Sequence, residues 1–414
     1  MKPPNPFTPG KRLTRPDLFA GRTPQLRDGA ALLDQAAAGN VRHALITGDR
    51  GIGKSSLASQ IEGVAVGDAR FIQLLNGGTS PPRNFLVAEH IAQRGEGVPA
   101  ISRGLLSGLD RARKKSRSKV TWDIEVALGP FKARVREAAG DPKEATAGFV
   151  DAIETIQDNV GREFEGVLLV IDEIDRVAEE PGVPTFFKVA SEMLTARGLE
   201  NVILLPVGMV GVQELLKAEH ASVGRVFEVI HVPSLNEAES LDILTRALDP
   251  TGIKIEDDVA GFIAHLANGF PHPVHLLGSE AYDADADGVI DEDDVDAAVT
   301  SVVSEKWKEE FDASFVAAGS GKNRDILRVM ADYRESDVPM AYICEKLGVR
   351  QPEISSNLNL LMKRDVIIRV DRGVYRIKDR LFSIYVSYMN VLGEDPIEVR
   401  PRKRRSDARR KTVT

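Results

Sequence analysis

The stretch "HALITGDRGIGKSSLASQIE", residues 43 to 62, decides the fold. A short apolar run, residues 43 to 47, breaks into glycines, and the residues that follow have helical spacing. An apolar run that ends in glycines favours a buried strand, and the periodic residues after it favour the start of a helix. This order of strand, glycine loop and helix predicts an α/β core built on a parallel sheet.

The glycine loop matches the pattern G-x-x-x-x-G-K-[ST]. Glycines at these positions let backbone N–H groups point at phosphate oxygens, and the helix amino terminus adds a favourable field for an anion. The lysine can reach the β- and γ-phosphates of a nucleotide, and the following hydroxyl can ligate Mg²⁺. The alternative is a glycine turn that happens to precede Lys-Ser. We predict a phosphate-binding loop made of Gly48, Asp49, Arg50, Gly51, Ile52, Gly53, Lys54, Ser55 and Ser56.

A second apolar segment, "GVLLVIDEIDR" (residues 166–176), supplies acidic groups. Its five consecutive apolar residues suit a strand that is buried on both faces. Asp172 follows at the carboxyl end of this strand, where open α/β sheets bind ligands. We expect Asp172 and Ser55 to hold Mg²⁺ and Glu173 to polarise an attacking water. A strand that ends in two acids is common elsewhere, so this interpretation depends on the phosphate loop.

Together, these motifs resemble those of AAA+ and STAND-like P-loop ATPases of the archaeal-ATPase and origin-recognition-initiator type. Three further stretches are similar to motifs of that family: "LFAGRTPQL" (18–26), "SVGRVFEVIHVPSLNEAES" (222–240) and "ANGFPHPVHLLG" (267–278). The resemblance implies ATP and Mg²⁺ as cofactors and ATP hydrolysis as the activity. It also implies that Arg225 is an arginine finger acting on a neighbouring subunit, hence a homo-oligomer or a protein partner. An ordinary surface arginine is the alternative reading of Arg225.

Three features depart from the family pattern. The segment "NVILLPVGMVG" (201–211) has no polar residue where a γ-phosphate sensor is expected. His272 stands where many relatives place an arginine, and the long interval between Lys54 and Asp172 implies extra material between two core strands. These departures favour a slow nucleotide switch over a fast motor.

The expected architecture is a three-layer P-loop NTPase core with a parallel sheet (residues 1–233), which contains an insertion at about 78–145. A helical lid (234–319), a winged helix-turn-helix domain (320–391) and a basic, disordered tail (392–414) follow. The basic run "RARKKSRSK" (111–119) lies within the insertion. A dense cluster of lysines and arginines can contact nucleic-acid phosphates, but a solvated loop is the commoner explanation.

The winged-helix prediction rests on three helical patterns followed by the strand pair "VIIRVDRGVYRI". DNA binding would use the third helix and the wing, with the basic tail adding salt-sensitive affinity. Because the third helix is barely basic, a structural domain that gates protein–protein assembly remains the alternative. The residues expected to face DNA are Gln351, Ser355, Ser356, Asn357, Asn359 and Lys363 on the helix and Arg369 and Arg372 on the wing.

The loop "DADADGVIDEDD" (283–294) has the spacing of an EF-hand calcium loop, although Asp294 replaces the usual glutamate. The competing interpretation is an acidic turn, a short "GVI" segment and the start of the next helix.

Composition narrows the function classes. The 414 residues carry a net charge of −8, which excludes a globally basic nucleic-acid coat. The single cysteine, Cys344, permits no intrachain disulfide, and the longest apolar run is shorter than a membrane span. With no signal peptide expected, we predict a cytoplasmic protein with no membrane partner.

Overall fold

The computed structural model describes residues 2–75, 83–115, 141–160, 163–219, 221–333 and 337–393. Part of the predicted insertion, including residues 116–119 of the basic run, and the tail from residue 394 lie outside the described residues. The chain forms two compact units, residues 1–291 and 292–414. The predicted lid, residues 234–319, is thus divided between the two units.

The first unit is built on a parallel five-stranded sheet with the order β2-β3-β4-β1-β5. All five strands therefore end at the same edge of the sheet. The strand that leads into the phosphate loop, β1, is separated from β3 by β4. The strands are β1 (His43–Gly48), β2 (Phe85–Ile91), β3 (Gly166–Asp172), β4 (Val202–Met209) and β5 (Phe227–Val232).

Helices cover both faces of this sheet and complete three layers. One face packs on α1 (Thr23–Ala37), α2 (Lys54–Ala65) and α3 (Ala69–Ile72). The other face packs on α4 (Val98–Lys115), α5 (Pro142–Val160), α6 (Val183–Ala196) and α7 (Val212–Glu219). The predicted α/β core is confirmed, and the described part of the long interval between Lys54 and Asp172 contains β2 and helices α3 to α5.

Three helices follow the sheet within the first unit. They are α8 (Glu237–Leu248), α9 (Asp257–Ala267) and α10 (Pro271–Ala284). A capping box fixes the start of α8, because Asn236 and Glu239 each bond to the backbone N–H of the other. Two short parallel strands, β6 (Lys254–Ile255) and β7 (Val289–Ile290), close this region.

The acidic loop after α10 follows the competing interpretation. The Asp285 side chain is buried, accepts the N–H groups of Asp287 and Gly288 at 3.1 and 2.8 Å, and pairs with Lys2 at 3.0 Å. Among the described residues there is no group of three or more acidic, histidine or cysteine side chains that could hold a metal ion. The loop leads into β7 and then a helix that begins at Glu292.

The second unit contains α11 (Glu292–Ser301), a π-helical turn (Val302–Lys306) and α12 (Lys308–Ala317), followed by the segment predicted to be a winged helix, which keeps that name below. Its helices are α13 (Lys322–Ala331), α14 (Met340–Leu347) and α15 (Ser355–Lys363). The wing is the antiparallel pair β9 (Ile367–Asp371) and β10 (Val374–Ile377), which β8 (Val338–Pro339) extends to three strands. Helix α16 (Arg380–Leu392) follows.

Burial in the second unit agrees with the predicted third helix, because Ile354, Leu358 and Leu361 are all buried. Asn357, which the sequence analysis places on the DNA-facing side, instead faces the interior, since it donates a hydrogen bond of 2.6 Å to the buried Asn323. In the described part of the chain, no helix is long and apolar enough to cross a membrane.

Candidate functional site

The phosphate loop joins β1 to α2 in the conformation that the sequence requires. Gly51 and Gly53 have φ angles of +76° and +98°, which side chains other than glycine rarely tolerate. Gly53 directly precedes α2, and no side chain caps the first turn of this helix. The N–H groups of the helix amino terminus are therefore open to an anion from outside the chain.

Lys54 is the first residue of α2, and its ammonium group bends back over the loop. Its Nζ donates a hydrogen bond of 2.8 Å to the Asp49 carbonyl and lies 3.5 Å from the sulfur of Met209. Burial lowers the pKa of Lys54, and the charges of Asp175, Glu173, Asp172 and Asp49 oppose that shift. Lys54 therefore stands within electrostatic range of the acids that follow β3.

Asp172 ends β3 with only 5% of its surface exposed, and its Oδ1 accepts the N–H of Glu173 at 2.9 Å. Glu173 has a φ angle of +58°, which is uncommon for a residue with a side chain. Backbone outliers of this kind concentrate at functional sites. The Glu173 carboxylate lies 3.2 Å from Nε of Arg176 on the same turn.

Asp175 belongs to the same turn, although the sequence interpretation gave it no role. Its Oδ1 accepts the N–H of Met209 at 3.0 Å and so ties the turn after β3 to the end of β4. The nearby Gly208 has no room for a side chain, because a Cβ there would lie 2.8 Å from Ile174. The residues of β4 that line the site are Val207, Gly208 and Met209, none of which offers an oxygen or nitrogen side-chain atom.

Arg22 supports the phosphate loop from beneath. It lies in the stretch "LFAGRTPQL", is 4% exposed, and donates hydrogen bonds to the carbonyls of Pro233 and, at 2.9 Å, Ile52. Burial lowers its pKa to about 10, so the guanidinium stays charged at neutral pH. The family resemblance singles out this stretch, but the hydrogen bonds of Arg22 join residues too far apart in sequence to be predicted.

The amino-terminal segment, residues 2–13, runs from α10 to α2 and was missed by the sequence interpretation. At one end Phe7 is buried against Gly278, where a Cβ would lie 2.6 Å from its ring. At the other end Arg12 bonds to Ser59 and Glu89, and pairs with Glu62 at 3.0 Å. The sequence signals for this packing are the phenylalanine Phe7 and the basic residues Lys2, Lys11 and Arg12.

These elements enclose a cavity of about 1030 Å³ at the carboxyl edge of the sheet. It brings together Lys54, Asp172 and Glu173, as the sequence predicts. Other predicted residues that line it are Arg50, Gly51, Gly53, Ser55 and Ser56. Arg225 does not line the cavity: it is exposed and ends the 3₁₀ turn Ala221–Arg225, next to the amino end of β5 and so at the opposite edge of the sheet.

His272 lies in the first turn of α10 and lines the cavity. Its Nδ1 accepts the N–H of Gly10 at 3.1 Å, and burial lowers its pKa. The ring is therefore neutral near pH 7, which makes it a poor counterpart for a phosphate charge.

Comparison with known proteins identifies this part of the chain. Residues 18–193 match the family described as AAA ATPase domain. This part of the chain is thus similar to an AAA ATPase domain. The matched residues include the predicted phosphate loop and the acids after β3, and so both halves of the predicted site.

One curated protein and two solved structures are similar to more of the chain than the matched residues 18–193. An uncharacterised HTH-type transcriptional regulator of Methanocaldococcus jannaschii is 23% identical over 284 residues, which are 67% of this chain and 66% of the relative. The Walker-type ATPase PABY2304 of Pyrococcus abyssi has a TM-score of 0.56 at 16% identity, covering 91% of this chain and 98% of that one. The ORC2 protein of Aeropyrum pernix, solved as ADPNP-ADP complexes, has a TM-score of 0.55 at 16% identity, with coverage of 94% and 96%.

Proposed function

We propose that this chain binds ATP with Mg²⁺ in the cavity, hydrolyses it, and uses the nucleotide state as a switch. The observation that carries the proposal is the convergence of Lys54, Asp172 and Glu173 on one cavity. A volume of about 1030 Å³ accommodates a nucleoside triphosphate. The solved complexes of the Aeropyrum relative with ADPNP and ADP support the choice of nucleotide.

The phosphates would lie on the loop between β1 and α2. Backbone N–H groups and the uncapped start of α2 would bind their oxygens, and Lys54 would exchange its bond to the Asp49 carbonyl for a phosphate oxygen. Ser55 and Asp172 are oxygen donors, as Mg²⁺ requires, and would hold it at the cavity wall. Bound there, Mg²⁺ would offset the charge that develops on the phosphates.

Glu173 would orient the attacking water and accept its proton. Its left-handed backbone conformation and its position after β3 keep the carboxylate at the cavity. Arg225 would act on the site of a neighbouring copy, because it lies at the far edge of its own sheet. A homo-oligomer is therefore part of the proposal.

Helices α8 and α10 of the predicted lid would change position with the state of the bound nucleotide. Ile243 on α8 and Pro271 and His272 on α10 line the cavity beside the phosphate loop. A ligand that makes different contacts before and after hydrolysis shifts the equilibrium between lid positions. We propose that this shift controls the winged helix.

The winged helix would bind DNA. Gln351, Ser356, Asn359 and Lys363 are exposed on or just before α15, and Ser355 is half-buried with its hydroxyl bonded to the Gln351 carbonyl at 2.8 Å. Arg369 and Arg372 are exposed on the wing. The name of the Methanocaldococcus relative, an HTH-type transcriptional regulator, supports this output.

A second candidate is a signalling or scaffold ATPase whose nucleotide gates protein–protein assembly without DNA. Leu360, Ile368 and Val370 are 36%, 37% and 43% exposed on α15 and β9. Exposed apolar side chains on a recognition helix and an edge strand suit a protein partner better than a phosphate backbone.

ATP turnover of the purified full chain, with and without duplex DNA, tests the proposal. Lys54→Ala should weaken nucleotide binding about 100-fold, because it removes a charge-assisted phosphate contact at the centre of the site. Glu173→Gln should lower turnover about 100-fold or more while nucleotide affinity changes less than about threefold. Glu179→Gln, an exposed carboxylate outside the cavity, is the matched control.

The outcomes separate the two functions. Turnover that DNA stimulates and that both site variants lose supports the DNA-coupled switch. Tight ATP binding with negligible turnover and no DNA shift at low salt would favour the assembly switch instead. A wild-type chain that binds no ATP would refute both.

A further inference from the structure

The end of β2 lies beside Asp172, on the side of β3 that faces away from β4. Ile91 pairs with Asp172 in the parallel ladder, and the Ala92 N–H donates to the Asp172 carbonyl at 2.9 Å. Ala92 is fully buried. The residues that follow it therefore leave the sheet at the same edge as the carboxylate proposed to hold the metal.

Residues 93–96 form a tight turn that is held at both ends. The Glu96 N–H donates to the Gln93 carbonyl at 3.1 Å, and Gly95 takes the positive φ angle, +80°, that the third position of such a turn needs. The Glu96 carboxylate accepts the Gln93 N–H at 3.0 Å and lies 2.9 Å from Nε2 of His90. The backbone of Arg94, the second residue of the turn, is fixed by these contacts.

The Arg94 side chain is exposed and lines the cavity that holds the phosphate loop. The other arginines of this cavity have different surroundings: Arg12 and Arg176 pair with carboxylates, Arg22 is buried against the phosphate loop, and Arg50 belongs to that loop itself. Within the described part of the chain, no carboxylate pairs with Arg94. Its guanidinium can therefore receive a ligand anion, and its planar fork matches the oxygens of a phosphate.

The strand order decides which phosphate Arg94 can reach. The phosphate loop follows β1, and β4 and β3 separate β1 from β2. At about 4.8 Å between neighbouring strands, the end of β2 lies roughly 14 Å across the sheet from the end of β1. The phosphates nearest the loop are thus out of its range, and the terminal phosphate, which must approach the acids after β3, is the nearest one.

We propose that Arg94 contacts the γ-phosphate of ATP and replaces the polar sensor that β4 lacks. The two strands that flank β3 end differently. Strand β4 ends at the apolar Met209, whereas β2 is followed by a turn that carries the cation Arg94. Arg94 thereby distinguishes ATP from ADP from the other side of β3. This inference rests on the proposed ATP site.

The test is equilibrium binding of ADP and of the non-hydrolysable analogue ADPNP, each with Mg²⁺, to the full chain. Arg94→Ala should weaken ADPNP binding about tenfold, the loss of one charge-assisted contact, and leave ADP binding within about twofold. Arg94→Lys keeps the positive charge but loses the planar guanidinium, so its ADPNP affinity should lie between those of the wild type and Arg94→Ala. Arg27→Ala, which removes an exposed arginine of α1 outside the cavity, should change neither affinity.

Comparing the ADP and ADPNP affinities of each variant tests the role of Arg94 separately from the proposed ATP site. Equal weakening of ADP and ADPNP by Arg94→Ala, or no weakening of either, would overturn the role of Arg94 while leaving the ATP site intact. A wild-type chain that binds neither nucleotide would refute the proposed site itself. Because Arg94 is exposed, a folding defect is not expected, and the thermal unfolding midpoint of each variant checks this.

Discussion

Lys54 and Arg22, two basic side chains of the cavity, and three basic side chains of the winged helix have different partners. In the cavity, Lys54 is partly buried, Arg22 is buried, and both bond to backbone carbonyls. In the winged helix, exposed or partly exposed basic groups pair with acids: Arg350 with Glu353, Arg376 with Asp337, and Lys378 with Asp365. The first arrangement holds positive charge ready for a ligand anion, whereas the second neutralises much of its own charge.

This difference separates what each region can be expected to do. A carbonyl partner orients a cation without cancelling its charge, so the cavity keeps its attraction for phosphate. An exposed ion pair contributes little to stability and weakens the field that a nucleic acid would feel. The comparison therefore predicts strong, localised effects of substitutions near the cavity and weak, distributed effects at the wing.

Loss of Arg22 should give the largest effect on stability. Arg22→Ala removes a buried guanidinium and leaves the carbonyls of Ile52 and Pro233 without that donor. We expect the free energy of unfolding to fall by about 3 kcal/mol, with weaker ADP binding because the phosphate loop loses its support. Urea unfolding measures the first effect and equilibrium ADP binding the second.

Arg27→Ala is the matched control, since Arg27 is exposed on the same helix, α1. Its effect on unfolding should stay within about 0.5 kcal/mol. If Arg22→Ala lowered the free energy of unfolding no more than Arg27→Ala does, the hydrogen bonds of Arg22 would not stabilise the phosphate loop as proposed.

Low pH should lower the stability of the first unit more than that of the second, because all seven histidines of the chain lie in residues 1–291. His43 is buried in β1, its Nδ1 accepts the Leu204 N–H at 3.2 Å, and burial lowers its pKa to about 4. A histidine with a lowered folded pKa contributes stability above its unfolded pKa of about 6.5, and that stability is lost as the pH falls towards 4. We expect His43 to cost the first unit about 2 kcal/mol at pH 5.

Hydrogen exchange followed by mass spectrometry at pH 7 and pH 5, corrected for the chemical exchange rate, reports each unit separately. Protection should fall in β1 and β4 and change less in the winged helix. An NMR titration of the His43 ring supplies the control, and a ring pKa near 6.5 would contradict the predicted acid sensitivity.

A structural feature of this protein could be predicted from the sequence when residues close together in the chain determine it. The turn between β1 and α2 was predictable because Gly51 and Gly53 of one short stretch favour its backbone conformation. The position of Asp172 at a strand end was predictable because a doubly buried strand has a continuous apolar sequence. Similarly, the helices and the strand pair after residue 320 follow from local patterns, and the buried face of α15 agrees with them.

The parts that escaped prediction depend on residues brought together from afar. No local pattern shows that β4 lies between β1 and β3, or that Arg22 bonds to the Ile52 carbonyl. The role proposed for Arg94 depends on β2 pairing with β3, a partner about eighty residues away in sequence. The amino-terminal segment packs against helices from both ends of the first unit, which its own composition cannot reveal.

The smallest effect is expected at the wing. Replacing Arg369 and Arg372 by alanine should weaken binding to duplex DNA by about three- to tenfold at low salt, because wing cations contact phosphates without reading bases. Removing two phosphate contacts should also lower the slope of log K against log salt concentration by about 1.8. Fluorescence anisotropy over a range of salt concentrations measures both quantities, with Lys378→Ala as a control whose charge is already paired. An unchanged slope in the double variant would mean that the wing does not touch the backbone, and the exposed apolar side chains of α15 and β9 would then favour a protein partner.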